Sequence, residues 1–212
     1  MVKSEAFNKF PLEYDKWFEN HKVEYEQELT AIKSLLPKAG RGIEIGAGTG
    51  RFTQPLDISL GVEPSKAMRE IAIGRGVNIV AGTAETIPVG DCSYDYALMV
   101  TTVCFLDFPE TAFKEVRRIL KAGGLLIVGL IDRDSRLGKK YEKNKSESIF
   151  YKDANFHSVD EVQSYLEKAG FSDIKYVQAV FPDDTDGIIE PVVKEGYGEG
   201  SFVVMRAKKH DA

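Results

Sequence analysis

Positive charge is in short supply in this sequence: 28 Lys and Arg stand against 33 Asp and Glu, a formal net charge of -5. A general nucleic-acid binder needs a basic face to displace counterions, so that class is disfavoured. Cysteine is scarcer still. Cys92 and Cys104 are the only two, without C-x-x-C spacing or a neighbouring histidine pair, so no metal or redox motif is expected and both thiols read as buried structural residues. Long apolar runs are also missing; stretches such as 123–131 fall short of the ~18 residues that suggest a membrane span. The opening MVKSEAFNKFPLEYDKWFEN has charges every few residues and no apolar core of a signal peptide, so a cytoplasmic protein is expected.

What the chain does have is an ordinary globular composition, 43 % hydrophobic and 29 % charged over 212 residues, which favours one domain with its own core. Its most informative stretch is Gly42-Ile-Glu-Ile-Gly-Ala-Gly-Thr-Gly50. Ile43 and Ile45 alternate with Glu44 as in a strand, which then runs into glycines at 46, 48 and 50. Such a turn brings bare backbone amides against a ligand. A dinucleotide fingerprint would require glycine at 51, where Arg51 stands. Glu44 at the base of the loop would repel a pyrophosphate and welcome a cation. S-adenosylmethionine carries an ammonium and a sulfonium and no phosphate, and so fits. Glu63, after the apolar pair Leu60 and Val62, is placed to accept both ribose hydroxyls; the plainer reading makes Glu44 and Glu63 surface carboxylates.

These residues, with GVEPS at 61–65, GTAETIP at 82–88, YDYALMV at 94–100 and LKAGGLLIV at 120–128, resemble in order and spacing the motifs of class I S-adenosylmethionine-dependent methyltransferases, especially the small-molecule branch that includes the ubiquinone and menaquinone biosynthesis enzymes. The resemblance covers roughly residues 40 to 180. It implies an α/β fold with a doubly wound, mostly parallel seven-stranded sheet, an antiparallel last strand and an N-terminal helical lid. Residues 1–37 would form the helical cap and 38–212 the donor-binding domain. It also implies donor contacts from Glu44, Gly46, Ala47, Gly48 and Gly50 around the loop, from Glu63, Pro64 and Ser65 after the second strand, from Thr83, Ala84 and Glu85 at the adenine, and from the backbone of Thr101 at the methionine amino group. Thr83 departs from the family, which often has aspartate there; a hydroxyl can still accept from adenine without the charge-assisted contribution. A YDxWF-like segment in related enzymes closes over the site, and here it reads Tyr14-Asp-Lys-Trp17-Phe18. Tyr14 and Trp17 are therefore either ligand contacts or core anchors.

Periodicity supplies the remaining elements. Tyr25, Leu29, Ile32 and Leu36 mark an amphipathic helix ending at Pro37. A short helix is expected over 49–56, another capped by Ser65, and a third from Pro109 that stops at Gly123-Gly124. Ser158 and Glu161 form a capping box for a helix ended by Gly170. Strands are expected at 77–80, 95–100, 125–131, 174–180 and 202–207, the last two bracketing an acidic, glycine-bearing connection. Alternating βα units of this kind indicate a doubly wound sheet.

The acceptor is a small molecule of unspecified identity on this reading. The long connection 132–157 carries Arg133, Arg136, Lys139, Lys140, Lys143 and Lys145 against Asp134 and Glu142, either to attract an acidic acceptor or simply as a solvated loop. Phe150, Tyr151, Phe156 and His157 could wall an aromatic or amine-bearing acceptor, and Gly196–Gly200 lies either near the same mouth or in a plain hairpin crossing. Methyl transfer from a sulfonium needs no obligatory base; if one acts, His157 and then His21 are the candidates, and His210 is neither. The competing readings are a donor-binding sensor or partner subunit without transferase activity and a nicotinamide-dependent oxidoreductase, whose fold is related. Oligomeric state is left open.

Overall fold

The computed structural model describes residues 4–180 and 192–210. Three helices come first: α1 (Glu5–Lys9), α2 (Pro11–Asn20) and α3 (Lys22–Leu35). Pro11 opens α2 at a position where its missing N–H costs nothing. In α3, residues 28, 31, 32 and 35 fall on one buried face at helical spacing. There follow β1 (Gly42–Ile45), β2 (Leu60–Val62), α4 (Lys66–Gly74), β3 (Ile79–Val80), β4 (Tyr94–Val100), α5 (Pro109–Ile119), β5 (Leu120–Ile131), α6 (Arg136–Asn144), α7 (Val159–Lys168), β6 (Phe171–Ala179), β7 (Lys194–Glu195) and β8 (Phe202–Lys209).

Among the described residues the strands make one sheet in the order β3-β2-β1-β4-β5-β8-β6-β7. β1 to β5 pair in parallel, whereas β8 lies antiparallel between β5 and β6. The two-residue edge strand β7 is an eighth strand beyond the seven expected. One face of the sheet packs on a core that includes Phe113, Val116, Val162 and Leu166 from α5 and α7. The other packs on Phe18, Ala31 and Ile32 from the N-terminal helices, with Phe52 and Ile58. Burial on both faces explains why β4 and most of β5 are apolar without alternation.

Several local expectations change. Residues 51–57 are a run of turns rather than a helix: Gln54 and Leu56 donate four residues back, but Ile58 donates to Thr53 five back, so the ladder never repeats. α5 ends at Ile119, four residues before the expected stop, and Gly123-Gly124 instead lie in an irregularity of β5 where the register with β4 jumps from Tyr94↔Leu120 to Tyr96↔Leu125. Helix α6 occupies part of the long connection after β5; its Arg136, Lys139, Lys140 and Lys143 are exposed while Leu137 and Tyr141 pack on the core. The cysteines are not both buried: Cys92 is exposed in a left-handed turn and Cys104 is half-buried. Much of the acidic connection after β6 lies outside the described residues. The capping box of α7 is complete, with Ser158 accepting from the Glu161 amide and Glu161 from the Ser158 amide. No helix of the described residues is long and apolar enough to cross a membrane.

Candidate functional site

The glycine loop leaves β1 and crosses the carboxyl end of β2, where the amides of Gly46 and Ala47 both donate to the Val62 carbonyl at 2.8 and 3.1 Å. Gly46 has φ 77°, and a Cβ there would stand 2.3 Å from Thr102 Oγ1; both backbone and space exclude a side chain. Gly48 has φ 54° but open space above it, its hypothetical Cβ lying 3.8 Å from Tyr14 Cε1. The Tyr14 ring therefore roofs the loop. Gly50 is buried below, against Val77.

Glu63 ties this loop to the next helix. One carboxylate oxygen accepts from the Gly48 amide at 3.0 Å and the other from the Ser65 amide at 2.8 Å. A carboxylate offers about four lone-pair sites, so two stay available to a ligand. Burial raises the Glu63 carboxyl above the usual range, opposed by those two amides and by Arg69. Ser65 caps α4 through the Met68 amide and also donates to Asn8 on α1.

Glu44 is buried beneath the loop and accepts from the Thr53 hydroxyl. Burial pushes its carboxyl up to about 8; the Thr53 contact opposes this and the nearby Glu63 charge adds to it. It does not line the cleft above. At the other side of the cleft, Glu85 accepts from the amides of Asp107 and Phe108 at 3.2 and 3.5 Å, fixing the turn that carries Thr83 and Ala84. Thr101 follows β4 with φ 47°, a conformation that a β-branched residue rarely adopts, held by its amide to the Gly129 carbonyl at 2.8 Å.

These elements enclose a cleft of about 760 Å³ including its open mouth. Of the residues singled out from the sequence, Tyr14, Gly46, Gly48, Glu63, Pro64, Thr83, Ala84, Glu85 and Thr101 line it; Glu44, Ala47, Gly50, Ser65 and Trp17 do not. Trp17 stacks on His21 at 4.7 Å, and exposed His21 lines neither described cavity. His157 lines a second cavity of about 330 Å³ with Tyr151 and Phe156, its Nδ1 3.5 Å from Glu161. Thr101 lines both cavities. The Gly196–Gly200 stretch folds back on β6, where Gln178 accepts from the Glu199 and Gly200 amides.

The charge of the cleft discriminates among ligands. Among the described residues its wall carries Glu63, Glu85 and Asp107 and no basic side chain, an environment hostile to a pyrophosphate and favourable to a cation. A model of the methyltransferase domain matches residues 43–128. A solved S-adenosylmethionine-dependent methyltransferase of Thermotoga maritima, described as a possible histamine N-methyltransferase, is 54 % identical over 98 % of this chain and 99 % of its own, with a TM-score of 0.94. The chain belongs to the S-adenosylmethionine-dependent methyltransferases. An uncharacterized protein of Methanocaldococcus jannaschii is 46 % identical over 96 % of this chain and 98 % of its own. A methyltransferase of Archaeoglobus fulgidus at 17 % identity and TM-score 0.70, covering 92 % of this chain and 99 % of its own, shares the fold. This methyltransferase thus has S-adenosylmethionine as its cofactor, and the acid-lined cleft suits that cation.

One group that the sequence does not single out is Asp15. It follows Tyr14 on α2 and reaches the glycine loop, accepting from Thr49 Oγ1 at 2.6 Å, from Arg51 Nε at 2.9 Å and from Arg75 Nη2 at 3.0 Å. Burial alone would raise the Asp15 carboxyl, but hydrogen bonds from Arg51, Thr49 and Arg75 outweigh it and hold it at about 2. Arg51, which breaks the dinucleotide fingerprint, is the signal that could have led to this partner. Phe7 of α1 adds a further wall, 5.5 Å from the Tyr14 ring and 5.1 Å from Phe105.

Proposed function

We propose that this methyltransferase moves the methyl group of S-adenosylmethionine to a nucleophilic N, O, C or S atom of a small molecule rather than of a nucleic acid. The observation that carries this reading is the roofed, acid-lined cleft that meets a second cavity at Thr101. Phe7 and Tyr14 cover it with aromatic surface, and none of its described lining residues is basic, which gives a polyanion no electrostatic hold there. When bound, the cofactor supplies an activated methyl group on a positively charged sulfur.

The residues of this chain would position that group. Glu63 presents its free lone pairs to the ribose hydroxyls; Thr83, Ala84 and Glu85 frame the adenine; the Gly46–Gly48 turn and the Thr101 backbone hold the methionine end. Glu44, Gly50 and Ser65 support these from below. Residues 1–37 act as a cap and the rest as the donor domain, with Tyr14 at the contact between them. Alignment and exclusion of water by the aromatic roof are the chief sources of rate, for which ~7 to 11 kcal/mol is available in the best cases. If a base acts, we take His157, which lines the second cavity, ahead of His21, which stacks on Trp17 at the surface.

Incubation with methyl-labelled donor and a metabolite extract is expected to label a small molecule and no RNA or DNA. Label recovered only in nucleic acid overturns the proposal. Binding of the cofactor without transfer to any extract component would favour the sensor reading.

A further inference from the structure

The short segment that follows β4 divides the donor cleft from the second cavity. Thr102, Phe105 and Leu106 line the cleft, Val103 and Cys104 line the second cavity, and Thr101 lines both. Thr101 is fixed at this junction in its left-handed conformation by the Gly129 carbonyl, and the Cys104 thiol donates to the Thr101 carbonyl at 3.3 Å. Rings make a further part of the border. Phe105 on the cleft side stacks on Tyr151 of the second cavity at 6.0 Å. A methyl acceptor has to sit beside the donor, and this cavity of about 330 Å³, including its opening, adjoins the donor cleft.

The lining of the cavity differs in kind from that of the cleft. Among the described residues no acid, lysine or arginine lines it. Val103, Leu130, Ile131 and Phe156 give apolar surface, and the polar groups are the hydroxyls of Thr101 and Tyr151, the Cys104 thiol and the His157 imidazole. Burial raises the Tyr151 hydroxyl well above the usual phenol range, so it stays un-ionised. Glu161, 3.5 Å from His157 Nδ1, is not part of the lining and is held by Arg133 at 2.9 Å and by the Ser158 amide at 3.0 Å. An ionised guest would therefore give up water without gaining a counter-charge, which is costly. An alkylamine with a pKa of ~10.4 arrives as a cation and a carboxylic acid of ~4 as an anion, whereas a phenol of ~10 or a thiol of ~8.5 arrives uncharged.

We propose that the second cavity is the acceptor subsite and selects a small molecule with an apolar body and an uncharged, weakly acidic hydroxyl or thiol. This rests on the small-molecule reading above and adds a place and a substrate class to it. Leu130, Ile131 and Phe156 cover the apolar body, the polar group meets Thr101 and Tyr151 at the border with the donor cleft, and His157 stands in the same cavity for the proton that such a group gives up.

The test measures binding by calorimetry at pH 7 to protein saturated with S-adenosylhomocysteine, using four single-ring probes: 4-methylphenol, phenylmethanethiol, benzylamine and phenylacetate. Wild type is expected to bind the phenol or the thiol, and to bind the cationic and anionic probes ~10-fold or more weakly because their charge is buried without a partner. Cys104→Leu, which puts a bulkier side chain into the cavity, is expected to lose the neutral probe by ~10-fold or more. Its affinity for S-adenosylhomocysteine should stay as in wild type, which also shows that the variant is folded. If it does not fold, Phe156→Leu decides: by opening space it should raise the affinity for 2-naphthol relative to 4-methylphenol by ~3-fold or more over wild type. A charged probe bound as tightly as the neutral ones, neutral binding untouched in a folded Cys104→Leu, an unaltered preference in Phe156→Leu, or binding of S-adenosylhomocysteine but of neither neutral probe would overturn the proposal. Wild type that fails to bind S-adenosylhomocysteine would instead count against the methyl-transfer reading on which it rests.

Discussion

Replacing Asp15 by asparagine keeps the shape of the side chain and removes the charge that fastens α2 to the glycine loop. The carboxyl is held at about 2 against an ordinary 3.8, and each pH unit of displacement is worth roughly 1.36 kcal/mol. That sets an upper figure of about 2.5 kcal/mol. Asp15, Arg51 and Arg75 are only 15, 18 and 23 % exposed, so solvent screens them modestly and about 2 kcal/mol is expected. The sign follows from the direction. A carboxyl held below its unfolded value contributes fully above about pH 4 and ceases to contribute as the pH falls through about 2. Urea unfolding at pH 7 should therefore show Asp15→Asn less stable by about 2 kcal/mol, and the gap should narrow visibly at pH 3. Hydrogen exchange at pH 7 should quicken most in residues 11–20, since the latch acts on one helix. An undiminished gap at pH 3, or unchanged exchange in α2 at pH 7, would refute the argument.

Three other outcomes are expected. Glu63→Ala should weaken S-adenosylhomocysteine binding by ~1.5 to 3 kcal/mol in a calorimetric titration, the worth of a hydrogen bond to a charged group; an unchanged constant would remove the ribose role. Glu44 stays protonated in the empty protein up to about 8 but ionises near 4.5 once unfolded, so it should erode stability as pH climbs from 4.5 toward 8. A bound cation favours its carboxylate, so donor binding at pH 7 should release protons, seen as a binding heat that varies with the buffer's ionisation enthalpy and lost in Glu44→Gln. Finally, Gly48→Ala should cost only about 1 kcal/mol for its left-handed backbone, whereas Gly46→Ala, which meets Thr102 at 2.3 Å, should cost markedly more in thermal unfolding.

Much of this fold is legible in the sequence, for reasons that are themselves physical. β1 announces itself by Ile43 and Ile45 alternating with Glu44 into the glycines, β4 because a strand covered on both faces must be apolar, and the α7 capping box because Ser158 and Glu161 make both its bonds within four residues. Signals that depend on a distant partner were not legible. A helix over 49–56 is expected from its place after the glycine loop, yet Pro55 removes a backbone donor from its interior, and Arg51 is drawn to Asp15 while Tyr25 donates to the Arg51 carbonyl, tertiary partners that the local sequence does not reveal. The Gly123-Gly124 pair reads as a helix stop, but a register jump in β5 uses the same freedom. Asp15 reads as one more surface acid within an aromatic segment, since its three partners come from 34 to 60 residues further along.

The position of β8 sets the order in which the sheet can be completed. Among the described residues β6 joins the parallel strands only through β8, its other neighbour being the later edge strand β7, so a growing chain that has reached Ala179 still has a strand with no backbone partner to dock on. Its amides and carbonyls must wait for Phe202–Lys209 to slide between β5 and β6 and zip both borders at once. Until that late insertion the nascent protein carries two open sticky borders, and chaperone dependence during synthesis should be concentrated in that interval.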